Sequence, residues 1–291
     1  MTTLSFHIVT VTLLGVGADQ TNSSPYPQIY EGGSFEYVPI PEAYESSESG
    51  TFGTISRKPN EDCLQEVSGS EDTLSDVLDE IKPREGEGDT VRGEDLKSQP
   101  IHWDPNFSDY TYGEVKTANK NQIKQLNPDQ EDVLAFYTGL AFPGSETPHR
   151  YIIGYFTVDS ITDFRPILGE CPPKDHNDRV VVSELPPDVR ETVESNLNNH
   201  PNNAHVKRYK ESGTIHPELL IVDGKRPGGL LNRAYRISQT VPGGHAFTED
   251  AEERLMIVTT ATHRETGFLG GFKKAHRSNL RGTEFIEMIS R

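Results

Sequence analysis

Cysteine is scarce: Cys63 and Cys171 are the only two thiols in 291 residues. They lie far apart and fit none of the spacings that hold zinc or build a disulfide framework. This excludes a small stapled scaffold and points to a reducing, cytoplasmic compartment. Long apolar runs are also missing. Nothing approaches the roughly 18 consecutive apolar residues that a membrane-crossing helix needs, so no membrane partner is expected. The apolar start, residues 4–16, lacks the basic n-region of a secretory signal and alternates as a strand does. Positive charge is in deficit, with 28 Lys and Arg against 45 Asp and Glu and a net charge of −17. That balance opposes sequence-independent duplex binding, which depends on neutralising phosphates. Several catalytic patterns are missing as well. There is no Gly-x-x-x-x-Gly-Lys-Ser/Thr phosphate loop, no His-Glu-x-x-His, and no His-x-Glu with paired cysteines. Gly15-Val16-Gly17 lacks the third glycine and the helix of a dinucleotide fingerprint, and reads as a turn. These patterns give no cofactor and no metal.

What is present is enough chain for one large domain or two ordinary ones. Residues 43–98 hold 15 acidic and 6 basic side chains and read as an exposed, partly disordered acidic insertion. Within it, Leu74, Val77, Leu78 and Ile81 follow helical spacing, with Ser70 as cap and Pro83 as stop. Strands are expected over 6–14 and 34–41, and a short helix over 121–126. A helix over 188–197 follows Pro186-Pro187 and ends at the Asn198–Asn203 breaker cluster. Further on come a buried strand over 219–222, a helix or extended piece over 230–238, and a strand over 254–260. The stretch from about 245 reads as a C-terminal extension with a basic tail.

The segment 132–158 is the most ordered in pattern: two apolar, aromatic-rich runs flank a Gly/Pro/Ser/Thr gap and read as paired strands around an opening. Its residues Asp132, Val133, Leu134, Phe136, Tyr137 and Gly139, followed by Ile152, Ile153, Gly154, Tyr155, Phe156 and Val158, resemble the central strands of PUA-like modules of the ASCH and EVE type. The resemblance implies an α+β fold: a mixed β-barrel core of PUA-like type with flanking helices and extra strands, and Tyr137 at the barrel mouth.

Further blocks extend the likeness. They are residues 33–42, His102-x-Asp104-Pro105-x-Phe107, Thr111-Tyr112-Gly113, Asn203-Ala204-His205-x-x-Arg208, and Leu230-Leu231-x-x-Ala234 with Ile237-Ser238. In this order they resemble the third family of nucleotide modification associated domains, which occurs in archaea, bacteria and their viruses near DNA-modification genes. The resemblance implies a single domain that recognises modified DNA or nucleotides in a modification, restriction or phage-defence system, with possible partner proteins.

A base offers two π-faces and a hydrogen-bonding edge, so a reader needs aromatics and fixed polar groups. Trp103, Phe107, Tyr112 and Tyr137 are candidates for stacking, although core packing competes for each of them singly. Ser34, Asn22 and Asp104 are candidates for reading an edge, and His205 and Arg208 for holding the nucleotide. Lys116, Lys273, Lys274 and Arg277 are candidates for phosphate. The alternative is an enzyme acting on a nucleotide or modified base. His102, Asp104 and His205 have the side chains that general acid–base chemistry uses. A third reading makes the acidic insertion a contact surface for partner proteins, against the plain alternative of a solvated loop.

Overall fold

The computed structural model describes residues 11–19, 22–56, 72–83, 88–170, 172–241, 244–257 and 275–290. Cys63, Cys171, Ser70, Lys273 and Lys274, and residues 6–10 and 258–260 of two expected strands, lie outside them. The chain is α+β, built on a curled six-stranded sheet that forms half of a barrel. Its strands are β1 (Val11–Gly15), β2 (Thr111–Glu114), β3 (Val133–Leu140), β4 (His149–Asp163), β5 (Leu220–Arg236) and β6 (His276–Ser278). Their spatial order is β6-β1-β3-β4-β5-β2. β1 runs parallel to β3, with Val11 opposite Val133 and Gly15 opposite Tyr137, and the other neighbours are antiparallel.

The expected pair 132–137 and 152–158 forms as the β3–β4 hairpin. All eight residues of β3 are buried, because both faces of this central strand are covered, and that is why its sequence is continuously apolar rather than alternating. On one face, Phe107 packs edge-on against Phe136 and Phe156. On the other, Tyr155 meets Phe285 at 6.1 Å. Gly154 makes room for the first contact: a Cβ there would lie 2.3 Å from the Phe107 ring and 2.7 Å from the Gly229 carbonyl.

Several expectations change in the structure. The segments expected as a strand over 219–222 and a helix or extended piece over 230–238 join into β5, a single 17-residue strand. Register shifts at Asp223/Gly224, Lys225/Gly228 and Leu230/Tyr235 absorb the Gly and Pro turn signals as bulges, which bend the strand and help curl the sheet. The helix expected over 74–81 is one turn, Leu74–Val77. Thr73 and Asp76 cap it, and Ile81 belongs instead to a two-residue strand (Glu80–Ile81). Of the strand expected over 34–41, Ile40–Pro41 pairs. Where a strand was expected from 254, Arg254 instead ends a short helix, Glu249–Arg254, and Ile257 makes an isolated bridge to Ser278.

The described part of 43–98 is not a solvated loop: Phe52, Leu74, Leu78, Ile81 and Leu96 form a buried cluster with Ala18, Val38 and Ile101. The stretch read as a C-terminal extension supplies β6 and the helix Gly282–Ile289, whose Phe285 is fully buried.

Three helices flank the sheet, the first touching β1 and the third touching β2. Helix α1 (Thr117–Ile123) stands where the short helix was expected, shifted toward the N-terminus. Helix α2 (Pro187–Asn198) forms as expected, with Pro187 in its first turn and Val193 and Leu197 buried. Helix α3 (Ala204–Ser212) begins where breakers were read. Asn203, fully buried, caps it by accepting from the His205 backbone N at 3.0 Å, the role Asn plays at helix starts. Val206 of α3 joins Val193, Leu197 and Ile221 in a second core cluster, which fixes α3 against the sheet. Replacing Gly154 by Ala should cost about 1–3 kcal/mol of stability through overpacking, read as a lowered midpoint in chemical denaturation.

Candidate functional site

The site starts from a two-residue strand pair. Ile40–Pro41 runs antiparallel to Ile101–His102, with Ile40 opposite His102, so Glu42 emerges beside the histidine. The His102 Nδ1 lies 2.9 Å from Glu42 Oε2. Two residues on, past a tight turn in which the Asp104 backbone N donates to the His102 carbonyl at 2.9 Å, Asp104 faces both imidazoles, while the intervening Trp103 stacks on Tyr37 at 6.1 Å. From α3, His205 and Arg208 project together, as residues three apart on a helix do. Arg208 donates to Glu42 Oε1 at 2.6 Å, and its guanidinium lies over the Tyr44 ring at 4.4 Å. The His205 Nε2 lies 3.4 Å from Asp104 Oδ2, and the His102 Nε2 lies 3.7 Å from the same oxygen. The other Asp104 oxygen accepts from the Gly113 backbone N at 2.9 Å. Gly113 is bare for a reason: a Cβ there would lie 2.1 Å from the His205 ring.

These groups open onto a pocket of about 60 Å³ lined by Gly15, Val16, Gly17, Ile40, His102, Asp104, Tyr112, Gly113, Glu114, Asn119, His205 and Arg208. Glu114 is held in the wall by the Tyr112 hydroxyl at 2.8 Å and the Asn119 amide at 2.6 Å, both donating to it. Every ionisable group at the centre is buried, so charges act there with little screening. Burial would raise the Glu42 carboxyl, but His102 and Arg208 outweigh it and hold it well below the ordinary range. Burial would lower His102, but the Glu42 charge and the flanking carboxylates carry it up to about 9. Asp104 likewise resists burial and is held down by the two imidazoles facing it. For His205 burial wins, reinforced by the nearby His102 and Arg208 charges, and it falls to about 4. Among the described residues, the Nδ1 of His205 and the Nε of Arg208 are buried without a hydrogen-bond partner.

Of the residues singled out in the sequence, the pocket brings together His102, Asp104, Tyr112, His205 and Arg208. It does not include the rest. Tyr137, expected at a mouth, is fully buried in β3 and packs near His276. Phe107 is part of the aromatic core, and Trp103 packs against it. Ser34 has a buried hydroxyl without a partner, outside the pocket lining. Asn22 accepts from the Asp19 backbone N and donates to the Lys82 carbonyl. Lys116 is exposed just before α1, and Arg277 bonds to Gln125 from the edge strand β6. The gap in 132–158, expected as the entrance, supplies no pocket residue.

Sequence reasoning gave no role to Glu42, Glu114 and Asn119, and read Gly15-Val16-Gly17 only as a turn. The signals that were available were local: the short His-x-Asp pattern, and Asn-x-His-x-x-Arg at the start of a helix. A family model for nucleotide modification associated domain 3 matches residues 10–287. The chain belongs to that family. No curated protein and no solved structure matches it. The match spans β1 through most of the last helix and contains every residue of the pocket. Within the family domain, no described helix is long and apolar enough to cross a membrane. Glu42→Ala would leave the Arg208 guanidinium buried without its carboxylate, the side chains being 4% and 1% exposed. We expect a loss of about 3–5 kcal/mol, measured by chemical denaturation at neutral pH.

Proposed function

We propose that this pocket acts chemically on a nucleotide or nucleobase within a nucleotide-modification system, with His102, Asp104 and His205 at the reacting centre. The observation that carries this reading is their convergence, with Arg208, from segments a hundred residues apart in a buried pocket. Ionisable side chains gathered in this way are costly to bury, and such clusters concentrate at functional sites.

A reader of modified bases is the second reading. What favours it is Tyr112, which lines the pocket while its ring also packs on Phe136, since a base stacks on a single π-face. Against it, Phe107 and Tyr137 face the core. The PUA-like kinship of the barrel belongs to the same proposal. It rests on β3 and β4, which carry the Phe-Tyr and Ile-Ile-Gly blocks as a hairpin.

The test is to incubate the full chain with nucleosides, nucleotides and DNA bearing modified bases, with divalent metals and cosubstrates supplied, and to read product masses. A mass change in one substrate class is expected, lost in His205→Ala and in Gly113→Ala, whose new methyl displaces the His205 ring. An unchanged profile throughout would sink the catalytic reading. Preferential retention of one modified oligonucleotide at fixed salt, weakened by Tyr112→Ala, would then support the reader.

A further inference from the structure

The separations at Asp104 are informative. A carboxylate bonded directly to an imidazole sits about 2.7–2.9 Å away. Here both His102 and His205 stand further off, at 3.7 and 3.4 Å, each presenting Nε2 to the same oxygen. Two ligands about 2.1 Å from a shared tetrahedral ion lie roughly 3.4 Å apart. One ligand atom from each of His102, Asp104 and His205 falls within 4.8 Å of the others, and all three residues are buried.

We infer that His102, Asp104 and His205 bind one divalent transition-metal ion, with Glu42 as the outer carboxylate that orients His102. The ligand set explains the ion class. Two imidazoles and one carboxylate suit iron(II), zinc or cobalt(II), whereas magnesium and calcium take oxygen ligands. Three protein ligands leave coordination positions open, and all three line the pocket.

The surroundings supply the outer shell that metal sites need. Glu42 at 2.9 Å from Nδ1 of His102 sets which nitrogen carries the proton and turns the Nε2 lone pair toward the ion. The Gly113 N–H does the same for Asp104, occupying Oδ1 and leaving Oδ2 to coordinate.

The inference deepens the proposed function by naming a cofactor for its reacting centre, but it can be tested without any nucleotide. Chelator-stripped full-length protein is dialysed separately against iron(II) under anaerobic conditions, zinc, cobalt(II) and magnesium, and bound metal is counted per chain. One transition ion per chain is expected, with little magnesium. Cobalt(II) should give visible absorption bands characteristic of imidazole and carboxylate ligation. Affinity should fall about 10–100-fold in Glu42→Gln and further in Asp104→Asn and His205→Ala, with circular dichroism confirming that each variant is folded. Should a variant fail to fold, His102→Gln and the wild-type cobalt spectrum carry the test. The inference is overturned if wild type retains no ion, if the variants bind as well as wild type, or if magnesium binds as tightly as the transition ions. An ion held by the triad without any nucleotide product would leave this inference standing and remove the catalytic reading. Nucleotide turnover by wild-type protein that retains no ion in the dialysis would leave the catalytic reading standing and remove this inference.

Discussion

The Glu42 carboxylate is the constraint on which the site depends. One oxygen takes the His102 imidazole and the other the Arg208 guanidinium, so a single buried group joins the 40–42 segment, the 101–104 segment and helix α3. Charges this deeply buried are costly to desolvate, and their mutual attraction offsets that cost only when geometry and hydrogen bonding are both good. Here they are. Arg208 stacks on Tyr44, and Tyr44 donates its backbone N–H back to Glu42. The two histidines reach the same oxygen of Asp104, and their rings meet edge to face at 5.0 Å.

The sheet supplies the rigid support. β3, buried on both faces, holds β1 parallel on one side and β4 antiparallel on the other. The end of β1 then delivers Gly15, Val16 and Gly17 to the pocket wall, and the edge strand β2 delivers Tyr112, Gly113 and Glu114. The aromatic residues near the site serve this support: Phe107 and Trp103 fill the space between the sheet and the His102 segment, with Tyr37 touching both rings. The bulges of β5 curl the sheet, and Gly224 matters there because a Cβ would lie 2.5 Å from Phe156.

How legible this was depends on range. The β3–β4 hairpin and helix α2 were readable because their signals are local and periodic: apolar runs bounded by turn residues, and Val193 and Leu197 one turn apart after a proline. β5 was not, because Gly224, Pro227, Gly228 and Gly229 carry turn chemistry that pairing with β4 overrides. Helix α3 was hidden by the Asn and Pro cluster before it, although Asn203 is its cap. The one-turn helix at Leu74 failed in the opposite way, since its apolar spacing was as compatible with Ile81 in a strand as with a second turn.

The sequence by itself determined the residue types of the site and its family, because His102-x-Asp104 and His205-x-x-Arg208 are short local patterns, the second tied to the helix period. It also determined that α+β elements would surround a hydrophobic hairpin. Only the tertiary structure decided which aromatics face the core, that Glu42 joins the two patterns, and that Gly113 leaves space for an imidazole. Those facts rest on contacts between residues 60 to 166 positions apart, and no local period encodes which distant side chains a folded chain brings within hydrogen-bond reach.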